Sequence, residues 1–108
     1  MSAIAISDEL LTAAKNYLDI TWDDTDTDAK LTGQLQRGIS YISAKTGVEA
    51  EASVFAGDDV DLRAQDLLFN YLLYDRAGAV NEFKKNYASD ILGLRMRWEV
   101  ANASESGS

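Results

Sequence analysis

Histidine, cysteine and proline are all missing from this chain of 108 residues. Without histidine the chain lacks the commonest general base and the commonest metal ligand. Without cysteine there is no disulfide framework and no thiolate metal site. Proline breaks helices, so its absence suits long ones. The glycines are isolated, and no phosphate-cradling loop is written into the sequence. No stretch approaches the roughly 20 apolar residues of a membrane span. The N-terminus has no basic segment leading into an apolar one, which points to a cytoplasmic protein.

Catalysis would therefore fall to carboxylates, hydroxyls, Lys or Tyr. Adjacent carboxylates occur at Asp23/Asp24 and Asp58/Asp59. Neighbours in sequence point different ways on any regular element, and both pairs fall in polar segments. Nothing there would raise a pKa for acid catalysis. We read no catalytic, cofactor or metal site, and the chain is not expected to be an enzyme.

What the chain does have is an unusually apolar centre, Asp66–Tyr74, with Leu67, Leu68, Phe69, Tyr71, Leu72, Leu73 and Tyr74. Apolar side chains go almost all the way round this segment. Such a helix belongs inside a core with other helices on several sides. Asp66, Asp75 and Arg76 bound it. The chain also has a surplus of acid, with a net charge of −8. The acids concentrate in residues 1–28 and 49–66, and residues 29–46 carry only basic charge. A strongly acidic small protein is poorly suited to grip nucleic acid, whose affinity comes from neutralising phosphates.

The remaining segments read mostly as helices. Ser7 is a good N-cap before Asp8 and Glu9, and Leu11, Ala14 and Leu18 form a stripe flanked by Leu10 and Tyr17. Ile20 and Trp22 are apolar anchors in the polar connection that follows. Asp24, Asp26 and Asp28 have the alternate spacing of a calcium loop, but Ala29 and Leu35 stand where that loop needs Gly and Glu. The run reads instead as a solvated loop whose Thr27 or Asp28 caps a second helix, about Asp28 to Lys45. Leu31, Leu35, Ile39 and Ile42 make one face of that helix, and Gly47 supplies its left-handed end.

Residues 48–60 lack a clear period. They read either as a mobile acidic loop or as a binding segment, with room for a short extended piece within 48–56. The third helix starts near Asp59 or Asp61 and ends around Ala77-Gly78. Asn81 then caps a fourth, with Phe83, Tyr87, Ile91, Leu94 and Trp98 on one stripe. Gly93 lies inside it and would permit a close helix contact. Tyr74 reads as part of a helix end, and Arg76 as an interface residue. The expected fold is all-α: a small bundle of about four helices centred on an antiparallel hairpin, with an acidic loop between helices two and three. Residues 1–100 form one domain, and 101–108 an unstructured tail.

The order of these features resembles a known family. Ala14-Lys15-x-Tyr17-Leu18-x-Ile20-x-x-Asp23-Asp24-x-Asp26, then Leu31, Ile39-x-Tyr41-Ile42 and Thr46-Gly47, is similar to the small head–tail connector (adaptor, or DNA-packaging) proteins of long-tailed bacteriophages and prophages. Tyr74-Asp75-Arg76-Ala77, Phe83-x-x-x-Tyr87 and Leu94-Arg95 extend the likeness, which covers roughly residues 8–100. The stretch after Val100 departs from the pattern.

The resemblance implies a structural subunit that forms a ring of about twelve copies below the portal. Such a ring extends the DNA channel and contacts the portal protein and the tail or stopper proteins. It implies a virion location at the head–tail junction, with host cytoplasm before assembly. DNA would pass through without specific binding. Glu49, Glu51, Asp58 and Asp59 would then face the channel, and like charge across water would keep DNA from adhering. A second reading, of a different class, is an acidic helical regulator that mimics DNA and occupies a partner's basic site.

Overall fold

The computed structural model describes residues 4–21 and 24–106, with 101–106 by backbone alone. All regular structure among them is helical: α1 Asp8–Tyr17, α2 Thr25–Thr46, α3 Ala52–Phe55, α4 Leu62–Arg76, α5 Val80–Asn86 and α6 Ala88–Ser106. Trp22 and Asp23, expected in the first connection, lie outside the described residues.

α1 begins as its sequence predicts, with Ser7 Oγ accepting from Leu10 N–H at 3.2 Å. Its buried face is rotated from the expected one. Leu10 and Ala14 are fully buried, whereas Leu11 and Leu18 are only half-buried. Two ties from α2 hold α1 and the segment ahead of it. Lys15 Nζ pairs with Asp28 Oδ1 at 2.6 Å, and Gln36 Nε2 donates to the Ile4 carbonyl at 2.9 Å.

α2 starts earlier than expected. Neither Thr27 nor Asp28 caps it. Asp24 does, its Oδ2 accepting from Thr27 N–H at 3.3 Å and Thr27 Oγ1 at 2.9 Å. The earlier start places Asp26 and Asp28 in the first turn, where the helix dipole favours negative charge. Leu31, Leu35, Ile39 and Ile42 are fully buried, and Gly47 ends the helix at φ 83°.

α4 is the central element, packed against α2, α3, α5 and α6. Leu67, Leu68, Phe69, Tyr71 and Leu72 are buried, while Leu73 is 43% exposed. The close helix approach is made at Gly38 of α2. A methyl there would lie 2.6 Å from Leu68 Cδ1 and 2.9 Å from Tyr71 Cδ1. Gly93, expected to serve that purpose, has no neighbour within 4 Å of such a methyl.

The segment after α2 is stitched down rather than loose, and it forms α3 instead of an extended piece. Phe55 is fully buried, with Val48, Val54 and Ala56 buried beside it. Asp61 N–H donates to the Val54 carbonyl at 2.7 Å, and Gln65 Nε2 to the Phe55 carbonyl at 3.0 Å. At the other limb Ser43 Oγ donates to the Val48 carbonyl at 2.6 Å. A single turn of helix is too short to leave a period in the sequence, and its stability comes from the buried plug.

One continuous helix was expected after Asn81. The chain instead forms α5 and α6, with Tyr87 at the joint and Asn81 inside α5 rather than at its cap. The stripe survives the break: Phe83, Ile91 and Leu94 are buried, and Tyr87 and Trp98 half-buried. Tyr87 Oη donates to Asn70 Oδ1 at 3.0 Å, a tie to α4 that fixes the joint. α6 is drawn on to Ser106, into the stretch expected to lack structure.

Candidate interaction surface

The five residues expected to make contacts are all exposed, but they do not form one site. Glu49 and Glu51 stand on the limb entering α3, and Asp58 and Asp59 on the turn leaving it. Arg76 is at the far end of α4, about 20 Å along the helix at 1.5 Å per residue. Its Nη1 reaches Gln34 Oε1 at 3.5 Å, and its neighbour Asp75 pairs with Arg37 at 3.0 Å. Arg76 therefore belongs to the α2–α4 edge and the four acids to the opposite end of α4.

The acids sit on a firm base. Buried Phe55 and Val54 anchor the segment between the two limbs. The same end of α4 is closed by Asp61, whose Oδ1 accepts from Arg63 and Ala64 N–H at 3.0 and 3.2 Å. Asp61 Oδ2 accepts from Trp98 Nε1 at 2.9 Å, which brings α6 to this end as well.

An aromatic group at the other side of α4 was not foreseen. Phe83 lies 6.2, 5.4, 5.8 and 4.9 Å, between ring centroids, from Tyr41, Tyr71, Tyr74 and Tyr87. The Tyr74 reading as part of a packed helix end agrees with this. Lys84 and Lys45 stand 5.2 and 6.0 Å from the Tyr41 ring, within cation–π range. The Tyr41–Lys45 spacing is visible in the sequence, whereas Lys84 arrives only through the fold. Burial raises the pKa of the Tyr41, Tyr71 and Tyr87 hydroxyls, and for Tyr71 the nearby Asp75 carboxylate adds to the effect. These phenols are neutral packing groups at neutral pH.

Asp24, Asp26 and Asp28 do not converge. Asp24 is occupied as a cap, Asp28 holds Lys15, and residues two apart on a helix point to different sides. Among the described residues no group of three His, Cys, Asp or Glu is placed to hold a metal ion. No helix among them is long and apolar enough to cross a membrane. Compared with protein-family models, curated proteins and solved structures, the chain matches none.

Proposed function

We propose that this protein is a structural subunit of a phage head–tail connector. In this reading about twelve copies close into a ring that lies between the portal protein and the tail or stopper proteins. Arg76 contributes to a contact with a neighbouring protein. The four longer helices serve as the bundle, with α4 and the α5–α6 arm as its antiparallel hairpin. The protein acts without catalysis or cofactor, in the virion after assembly in the host cytoplasm.

The observation that carries the reading is the acidic edge. Glu49, Glu51, Asp58 and Asp59 are exposed around a buried apolar anchor, so their charge is held in place. Repeated around a ring, such an edge focuses negative potential on the path of the DNA. The spacing of Tyr17-Leu18, Ile39-x-Tyr41-Ile42 and Tyr74-Asp75-Arg76 supplies the family resemblance behind it.

Two measurements test the proposal. Electron microscopy of the protein mixed with its portal should show rings on the portal. Replacing Glu49, Asp58 and Asp59 by Gln or Asn should leave fold and ring intact but alter DNA retention or ejection in assembled particles. Unchanged DNA passage would leave these acids a role in solubility alone. Binding of the unmodified protein to duplex DNA at physiological salt would overturn the channel reading.

A further inference from the structure

α6 has two apolar faces. Ile91, Leu94 and Trp98 form the inner one. On the opposite side Leu92, Met96 and Val100 recur at i, i+4 and i+8 and remain 54%, 57% and 67% exposed. A helix on the surface of a monomer normally has one apolar stripe. A second, about 12 Å long at 1.5 Å per residue, marks a surface meant to be covered. Arg97 borders it on one side, and Arg95, paired with Glu99 at 2.9 Å, on the other.

A complementary surface lies elsewhere on the same molecule. A groove of about 330 Å³ opens between the N-terminal segment and the approach to α3. Ile4, Ala5, Ile6, Ala50, Ala52 and Ser53 line it, together with Glu51. The wall formed by residues 4–7 runs directly into Asp8 and Glu9. The groove is thus apolar inside and acidic outside, whereas the α6 stripe is apolar at its centre and carries Arg97 on one border and the Arg95–Glu99 pair on the other.

We infer that the outer stripe of α6 seats in this groove on a second copy of the chain. The two surfaces differ, so each copy that gives one and receives one leaves a stripe and a groove free at the ends of the row. That heterologous contact propagates until it closes into a ring. It also gives a chain of net charge −8 a locally attractive seam, with Arg97 against Glu51. The inference deepens the connector reading by naming the lateral faces, and only ring closure rests on that reading. It places Glu51 at the seam and leaves Glu49, Asp58 and Asp59 on the channel edge.

The absence of native cysteine makes a direct test available. Met96→Cys and Ser53→Cys are prepared as separate proteins and mixed at high concentration under mild oxidation. The expected result is a disulfide dimer in the mixture and little in either protein alone. Circular dichroism checks that both variants fold. Dimers of Met96→Cys alone would overturn the proposal in favour of a two-fold packing of stripe on stripe. No dimer in the mixture, where the unmodified protein still forms rings on a portal, would overturn the seam and leave the connector reading standing. The reverse outcome, mixed dimers without any ring on a portal, would support the seam and remove the connector reading. As a second check, Arg97→Glu should weaken self-association several-fold, and Glu51→Arg in the neighbouring copy should restore it. Failure of that rescue, with cross-links intact, would remove the charge pairing from the proposal.

Discussion

Trp98 on α6 donates its indole N–H to Asp61 Oδ2 at 2.9 Å, while Asp61 Oδ1 caps α4. One carboxylate thus closes the start of one helix and holds a second helix against it. Asp61→Ala is expected to cost about 2–5 kcal/mol, the sum of a lost cap and a lost hydrogen bond to a charged group. Trp98→Phe should remove the bond and leave the cap. Urea melts of the two single variants and the double variant check this. The pair should fall short of additivity by about 1 kcal/mol, and strict additivity would mean that the indole bond contributes nothing.

Gly38 and Gly93 should respond to alanine with opposite signs. Gly38→Ala drives a methyl into Leu68 and Tyr71, at 2.6 and 2.9 Å. The strain of an overpacked core, about 1–3 kcal/mol, outweighs the roughly 1 kcal/mol gain in helix propensity. Gly93→Ala meets nothing within 4 Å and keeps the gain. Thermal melts should show a lower midpoint for the first and a higher one for the second.

Leu72 is fully buried at the centre of α4, and Leu73 next to it is 43% exposed. Leu72→Ala should cost about 2–5 kcal/mol through the cavity it leaves, and Leu73→Ala much less. A urea-melt difference below about 0.5 kcal/mol for Leu72→Ala, typical of surface positions, would contradict its place in the core.

Stability should fall in alkali. The folded state raises the Tyr41, Tyr71 and Tyr87 hydroxyls above their ordinary value of 10.0, mainly through burial. It therefore favours the neutral phenol more than the unfolded chain does. That contribution is complete below pH about 10 and is lost as pH rises through the folded-state values. Tyr71→Phe should lose less stability over this range than the unmodified chain, as read from denaturant midpoints against pH.

Calcium should make no difference to melting, because the three alternate aspartates near α2 are committed to a cap, a helix turn and an ion pair. Melting temperatures in chelator and in excess calcium should coincide. A rise of several degrees would reveal a site, since a ligand that binds only the folded state must stabilise it.

Much of this architecture is legible wherever a local rule decides it. Ser7 before two acids, Gly47 after a clean stripe, and Asp61 ahead of the apolar run each specify a helix end by their own chemistry. Other features depend on neighbours. Asp24, Thr27 and Asp28 compete for one cap; Asp24 takes it, and Asp28 is held by Lys15 of α1. The break at Tyr87 coincides with its bond to Asn70, seventeen residues away. Gly38 and Gly93 look alike in sequence, and only the opposing helix distinguishes them. At the candidate surface, exposure of the four acids could be read from charge. Their separation from Arg76 could be read as well, because the helix between them starts near Asp61 and ends just past Arg76. The outer stripe of α6 was written at helical spacing but stood beside a longer and better one.

The contact at Gly38 also restricts how this molecule can move. Sliding α2 along α4 by one turn would bring Gln34 or Ile42 opposite Leu68 and Tyr71, where there is no room even for a methyl. α2 and α4 therefore have a single register and behave as one stiff beam. Adjustment on meeting a partner must then be absorbed outside this pair. The interlocked pair then works as a gauge, holding the spacing between the acidic end of α4 and Arg76 constant however the ends are bent.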